Sequence, residues 1–152
     1  IRKLRPVGLD ELGLQAALEH SLDHWQQRLP AVRFAASFEG DLDALGEQSA
    51  LVLYRLVQEG LTNLSTHARA RSVRIRVART RLPPDNDESI VFEMTDDGCG
   101  ADLSGKQSGL GLIGMRERVE MLGGRLRITT EPAKGFSIVA HIPLSVRTAE
   151  SS

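Results

Sequence analysis

Apolar residues recur along this chain with two different periods, and the switches between them mark out its elements. Leu14, Ala17, Leu18, Leu22, Trp25 and Leu29 stand three or four apart, which predicts an amphipathic helix over about 10–29, ended by Pro30. Val32, Phe34, Ala36 and Phe38 alternate, the pattern of a strand with one buried face. After a polar loop over 40–46, Leu53, Leu56, Val57, Gly60, Leu61 and Leu64 line the core side of a long helix over about 47–66. Val73, Ile75 and Val77 alternate with Arg74 and Arg76, and Ile90, Phe92 and Met94 repeat the period. These two strands flank a Pro- and Asp-containing hairpin loop over 82–88. Residues 101–108 read as a mobile loop, and a helix over about 110–122 stops at Gly123-Gly124. Leu126, Ile128 and Thr130, then Phe136, Ile138, Ala140 and Ile142, form the last two strands, turning near Pro132 to Gly135. Residues 145–152 read as a disordered tail. Strands that alternate polar and apolar residues belong to an antiparallel or mixed sheet with one face open to water. Helices must then cover the other face, so the fold class is α/β (α+β), a two-layer sandwich.

Composition narrows the setting rather than the function. The 152 residues suffice for one domain with a real core. A formal net charge of −1 gives no electrostatic case for direct nucleic-acid binding or for an anionic membrane as main partner. One cysteine, Cys99, excludes an intrachain disulfide and fits a reducing, cytoplasmic compartment. There is no apolar run of transmembrane length and no secretory signal at the start. The chain opens at Ile1 with the basic stretch Arg2-Lys3-Leu4-Arg5-Pro6, so it reads as part of a longer polypeptide, which segments upstream could anchor in the inner membrane.

Three polar boxes carry the chemistry. Glu59, Asn63 and His67 are four apart, so they share one helical stripe beside the apolar face. A carboxylate and an amide oxygen there suit Mg²⁺, which takes few protein ligands and completes its shell with water and phosphate oxygens. Asn63 is the candidate ligand, and Glu59 the candidate for orienting or deprotonating the attacking group. A plain solvated helix face would show the same spacing. Asp96 follows Ile90, Phe92 and Met94 at period two, which turns its carboxylate to the buried face. A buried carboxylate needs donors. An adenine amine is a suitable one, and guanine would present an unpaired carbonyl instead. Gly98 and Gly100 permit a tight turn beside a base, although an ordinary Asp-Gly turn looks the same in isolation.

The third box, Gly109-Leu110-Gly111-Leu112-Ile113-Gly114, is a G-x-G-x-x-G that is expected to open a helix and offer its amides to phosphates. A dinucleotide-binding βαβ unit is the rival, with Glu131 placed to meet a ribose. In that motif the glycines follow their strand at once, whereas here thirteen residues, Asp96 to Ser108, intervene. The strand over 126–130 also alternates, unlike one buried on both faces.

In this order and spacing, the boxes resemble those of the catalytic ATP-binding domain of two-component sensor histidine kinases, within the superfamily that includes DNA gyrase and MutL. Glu59 to His67 is similar to the N box, Asp96 to Gly100 to the G1 box, and Gly109 to Gly114 to the G2 box. Arg55 to Asn63, Gly114 to Val119 and the short G1–G2 loop resemble the subclass that acts on response regulators with NarL-like DNA-binding domains. The resemblance implies a Bergerat-type fold over 9–144, with a mixed, mostly antiparallel sheet on three helices. It implies ATP and Mg²⁺ as ligands, with Glu59 and His67 in catalytic roles. Asn63, Asp96, Gly98, Gly100, Gly109, Leu110, Gly111, Leu112, Gly114 and Met115 would bind nucleotide. The γ-phosphoryl would pass to a histidine on an upstream dimerisation domain of the same polypeptide, then to a regulator aspartate. Residues 1–8 would be the end of that domain's helix, the parent a homodimer and this piece a monomer.

The match has departures. Thr66 stands where the subclass carries Lys or Arg, and Phe136-Ser137 replaces a Thr after glycine in the last strand. The family's phosphoacceptor is a helical His followed by an acidic residue, but His20 precedes Ser21 and His24 precedes Trp25. Those two histidines, four apart, have a metal-like spacing but no evident third ligand. His141 alternates with buried neighbours and should face the open side of the sheet. The chain is therefore expected to bind ATP without phosphorylating itself. An anti-sigma-type serine kinase uses the same boxes, and a nucleotide-binding module with weakened catalysis is the further alternative, resting on Thr66.

Overall fold

The computed structural model describes residues 13–65, 70–98, 106–131 and 135–144. Its elements are α1 (Leu14–Arg28), β1 (Arg33–Glu39), a 3₁₀ turn (Leu42–Ala44), α2 (Glu47–Asn63), β2 (Ser72–Leu82), β3 (Asp87–Asp96), α3 (Lys106–Met121), β4 (Arg125–Glu131) and β5 (Gly135–Pro143). The strands form one sheet in the order β1-β2-β3-β5-β4. Only β1 and β2 are parallel, as expected for strands joined through a helix. The other three pairings are antiparallel.

The two-layer reading holds because the strands really are two-faced. Val73, Ile75 and Val77 of β2, Ile90, Phe92 and Met94 of β3, and Phe136, Ile138, Ala140 and Ile142 of β5 are buried. They meet Leu53, Leu56, Val57 and Leu61 of α2, Leu18 and Leu22 of α1, and Met115 and Val119 of α3 in one core. Each such large side chain contributes about 1.5–3 kcal/mol on burial. Arg74 and His141 stand exposed on the other face, and Arg76 bridges Glu39 and Glu93 there.

Several ends differ from the pattern-based ranges, each for a local reason. Strand β2 continues to Leu82 and β3 starts at Asp87, because antiparallel pairing runs on past the alternating residues as Leu82↔Asp87. The α-helical part of α2 ends at Asn63, and Leu64 and Ser65 continue it as a π turn to the edge of the described residues. Strand β1 is an edge strand with a thinner cover than expected: Phe34 and Phe38 are half-buried, and Ala36 is exposed. Helix α3 begins at Lys106, so residues 106–108 are helical and not loop. Its stop is as expected, with Gly123 at φ 84° and the Gly124 N–H bonded to the Val119 carbonyl at 3.0 Å. Residues 1–12, 66–69, 99–105, 132–134 and 145–152 lie outside the described residues, and so do the expectations placed on them: the upstream helix end, most of the 101–108 loop, the turn at Pro132 and the tail.

Close helix–sheet contact positions the site. A Cβ on Gly60 would lie 2.6 Å from Met94 Sδ, so the missing side chain lets α2 rest tightly on β3. Polar contacts fix α2 against α1 as well. Gln58 Nε2 donates to Ser21 Oγ at 2.6 Å, and Trp25 Nε1 donates to Gln58 Oε1 at 3.4 Å.

Candidate nucleotide site

Glu59 and Asn63 occupy the last turn and a half of α2, one helical turn apart. Their neighbours Gly60 and Leu61 face the core, which holds the stripe at its rim, as the spacing predicted. Asn63 is buried, 7% exposed, and Glu59 is half-buried. Asn63 is three residues beyond Gly60, and Asp96 is two residues beyond Met94. Each therefore lies within about 7 Å, along its own element, of the Gly60–Met94 contact.

Asp96 is the last residue of β3 and is 5% exposed. Its Oδ1 accepts a hydrogen bond from the Gly98 N–H at 2.8 Å. Among the described residues no cation and no second donor reaches it. Burial pushes its carboxyl above the usual carboxylate range; the Gly98 N–H opposes that rise, and the neighbouring Asp97 charge adds to it. The result is a costly, half-satisfied carboxylate at the edge of a core, which is the arrangement expected of a binding group rather than of a structural one.

Asp97 has the opposite character. Consecutive strand residues point to opposite faces, so Asp97 turns outward where Asp96 turns in. Its Oδ1 accepts from the Arg71 N–H at 2.8 Å and the Ser72 N–H at 2.9 Å, and its Oδ2 from Ser72 Oγ at 3.0 Å. These donors, the Ser72 amide foremost, hold its carboxyl below the usual range.

The glycine box is placed differently from expectation. It does not open its helix: Gly109 to Gly114 lie inside α3, which starts three residues earlier at Lys106. Amides within a helix are committed to carbonyls four residues back, so only those of the first turn point outward. Gly111 faces α2 closely enough that a Cβ there would overlap the Glu59 carboxylate. The first and third boxes are thus in contact through a missing side chain. Gly114 has open space around it, and Met115 is buried in the core, anchoring the helix. Gly98 is described, whereas Gly100 and His67 fall outside the described residues, and of Gly109, Leu110 and Leu112 only the backbone is described.

The fold agrees with comparison to known proteins. The family model of histidine kinase-, DNA gyrase B- and HSP90-like ATPases matches residues 48–146. The chain belongs to this ATPase family. It is similar to an uncharacterized sensor-like histidine kinase of Chloroflexus aurantiacus, 32% identical over 151 residues that make up 93% of this chain and 24% of that protein. It is also similar to the histidine-protein kinase/phosphatase UhpB of Salmonella typhimurium, 35% identical over 127 residues, 84% of this chain and 24% of that one. DegS of Brevibacillus brevis is 32% identical over 146 residues, 95% and 36% of the two chains. The chain spans about a quarter to a third of the length of these curated relatives. In fold it resembles the histidine kinase domain of the Erythrobacter litoralis EL346 blue-light activated kinase, with a TM-score of 0.68 at 23% identity over 87% of this chain and 61% of that one. It resembles the mycobacterial sensor histidine kinase MprB with a TM-score of 0.58 at 21% identity, over 87% and 96%.

For an ATP-binding domain of the sensor histidine kinase type, the donor set suits Mg²⁺ only in the substrate-assisted mode. No group of three or more His, Cys, Asp or Glu among the described residues could hold a metal. An amide oxygen and a carboxylate one turn apart leave most coordination positions to water and phosphate, which is how Mg²⁺ is usually held at nucleotides. No described helix is long and apolar enough to cross a membrane. His20 and His24 are exposed on α1 with no third ligand among the described residues. Two contributors escaped the pattern-based reading. One is Asp97, whose partners are far away in sequence. The other is Gly135, at φ 99°, where a Cβ would overlap the Asp96 carbonyl oxygen. A glycine just before an alternating strand was the only available signal.

Proposed function

We propose that this domain binds Mg²⁺·ATP and donates the γ-phosphoryl to a histidine on a dimerisation domain elsewhere in its polypeptide. That histidine would pass it to an aspartate of a response regulator, of the kind with a NarL-like DNA-binding domain. The carrying observation is Asp96: a buried carboxylate with one oxygen held by Gly98 and the other without a donor among the described residues. Adenine's exocyclic amine supplies that donor, and guanine's carbonyl would oppose it.

Asn63, with Glu59 one turn away, would hold Mg²⁺, which supplies neutralisation of phosphate charge when bound. The remaining work is positioning. Glu59 orients the incoming imidazole, whose unprotonated nitrogen attacks, and receives the proton that the ring's other nitrogen sheds as the N–P bond forms. The N–P bond forms as the bond between the γ-phosphorus and the β–γ bridging oxygen breaks, and ADP leaves. Gly98, Gly100 and the G2 segment, Gly109 to Gly114, would let the backbone approach the nucleotide, and His67 would serve its phosphate end, as the family resemblance implies.

The test mixes this chain with a separately prepared dimerisation domain of a sensor kinase and γ-labelled Mg·ATP. Acid-labile phosphohistidine on the added domain is the expected product. Acid-stable phosphoserine on a protein partner would point to the anti-sigma-type kinase, and no transfer despite tight ATP binding to the catalytically weakened module.

A further inference from the structure

The two adjacent aspartates of the G1 box divide one task. Strands β2 and β3 pair as far as Val73↔Asp96, and there the chain must leave the sheet to turn at Gly98. Beyond that pair the Asp97 N–H still reaches the Ser72 carbonyl at 3.3 Å. The Asp97 side chain then takes over from the ladder, accepting the Arg71 and Ser72 amides and the Ser72 hydroxyl. Side-chain acceptance of backbone amides continues the pairing while freeing the main chain to bend.

Those amides belong to the segment that leads from Asn63 into β2, since Arg71 follows α2 by only eight residues. Asp97 therefore ties the strand end that carries Asp96 to the chain leaving the N box. Arg71 is tied onward, because its carbonyl accepts from the Arg33 N–H of β1 at 2.8 Å.

We infer that Asp97 is a positioning residue for base recognition: its grip on Arg71 and Ser72 sets the angle at which Asp96 presents its second oxygen. This rests on the assignment of Asp96 to adenine. Its consequence is narrower than stability, because the quantity it controls is the preference for adenine over guanine.

The experiment measures ATP and GTP affinities by calorimetry in the full 152-residue chain, at temperatures well below each variant's melting point. Asp97→Ala removes all three acceptor contacts and should narrow the ATP-over-GTP ratio about tenfold or more, the scale of a lost bond to a charged group. Asp97→Asn keeps an oxygen for both amides and can donate to Ser72 Oγ, so it should stay within about threefold of the parent. An Asp97→Ala chain that melts lower but keeps the parent ratio overturns the inference, as does an Asn variant as impaired as the Ala one. Should Asp97→Ala fail to fold, Asp97→Ser carries the same test, since its hydroxyl is one atom too short to hold both amides. Asp96→Asn is run alongside: if it binds ATP like the parent, the adenine assignment itself fails, whereas its loss of binding with an indifferent Asp97→Ala refutes only the positioning role.

Discussion

Replacing Asp96 by Asn should separate affinity from stability, with the two moving in opposite directions. In the folded chain Oδ1 of Asp96 is engaged by the Gly98 N–H at 2.8 Å, and the residue is 5% exposed. An Asn keeps that bond through its own oxygen. The atom it must place where Oδ2 now stands is an NH₂ group, so a donor would face adenine's donor. A hydrogen bond to a charged group is worth about 1.5–3 kcal/mol, and its loss weakens ATP binding by roughly ten- to a hundredfold before any repulsion is added. The nucleotide-free fold should respond oppositely. Burial raises the Asp96 carboxyl above its ordinary value, so the native state holds its proton more tightly than the unfolded chain. Between those two values the native state binds more protons, and stability falls as pH rises through the window that opens at about pH 4. At neutral pH the ionised carboxylate is a liability that Asn removes. Relief of this kind commonly adds about 0.5–2 kcal/mol, or roughly 2–4 °C of melting temperature per kcal/mol in a domain of this size. Calorimetric titration with ATP at pH 7.5 and thermal melts at pH 3.5 and pH 7.5, on either side of the window's opening, read both effects. The variant's gain should be larger at pH 7.5. A variant that melts below the parent at both pH values, or binds ATP undiminished, refutes the reasoning.

Other consequences can be checked on the same chain. Asn63→Ala should blunt the Mg²⁺ dependence of nucleotide affinity, measured by titrating ATP with and without the ion; an identical response in parent and variant removes Asn63 as ligand. Glu59→Gln should leave ATP affinity within a few fold but slow phosphoryl transfer to an added dimerisation domain by at least about tenfold; unchanged single-turnover rates count against its role in proton removal. Gly60→Ala drives a methyl against Met94 Sδ in a filled core. It should cost about 1–3 kcal/mol in urea unfolding, and part of that should return when Met94→Ala is added, while additive losses would argue against the contact. Gly135→Ala combines a positive φ with a clash at the Asp96 carbonyl. It should lower stability by roughly 1–3 kcal/mol, with a matching fall in ATP affinity; a stable variant of parent affinity would show that β5 does not hold Asp96 in place.

Period-two and period-3.6 patterning exposed the sheet, its open face and the three helices, because each follows from which neighbours in sequence share a face. The same logic put Asp96 inside the sheet and Glu59 with Asn63 on one helical stripe. It failed where the answer depends on distant chain. Ala36 alternates correctly in β1 yet is exposed, because an edge strand lacks the cover that a central one receives. The helical start of α3 at Lys106 precedes the glycine box, although three glycines in six residues argue for loop on propensity alone. Tertiary packing of Met115 and Val119 outweighs that local preference.

Glycine is where sequence reading and structure diverge most usefully. Read locally, Gly60 is a weak point in a helix and Gly111 one of three phosphate-loop glycines. In the fold both are contact surfaces: Gly60 admits Met94 of β3, and Gly111 admits the Glu59 carboxylate across two helices. Both contacts sit on the short stretch of α2 that also carries Asn63. The missing side chains thus set how near the sheet carboxylate, the helix amide and the third box come to one another. An alanine at either position would leave every polar residue of the site in the sequence while moving the elements that carry them apart. The site is therefore specified as much by two absent methyl groups as by the acids and amide that would touch a nucleotide.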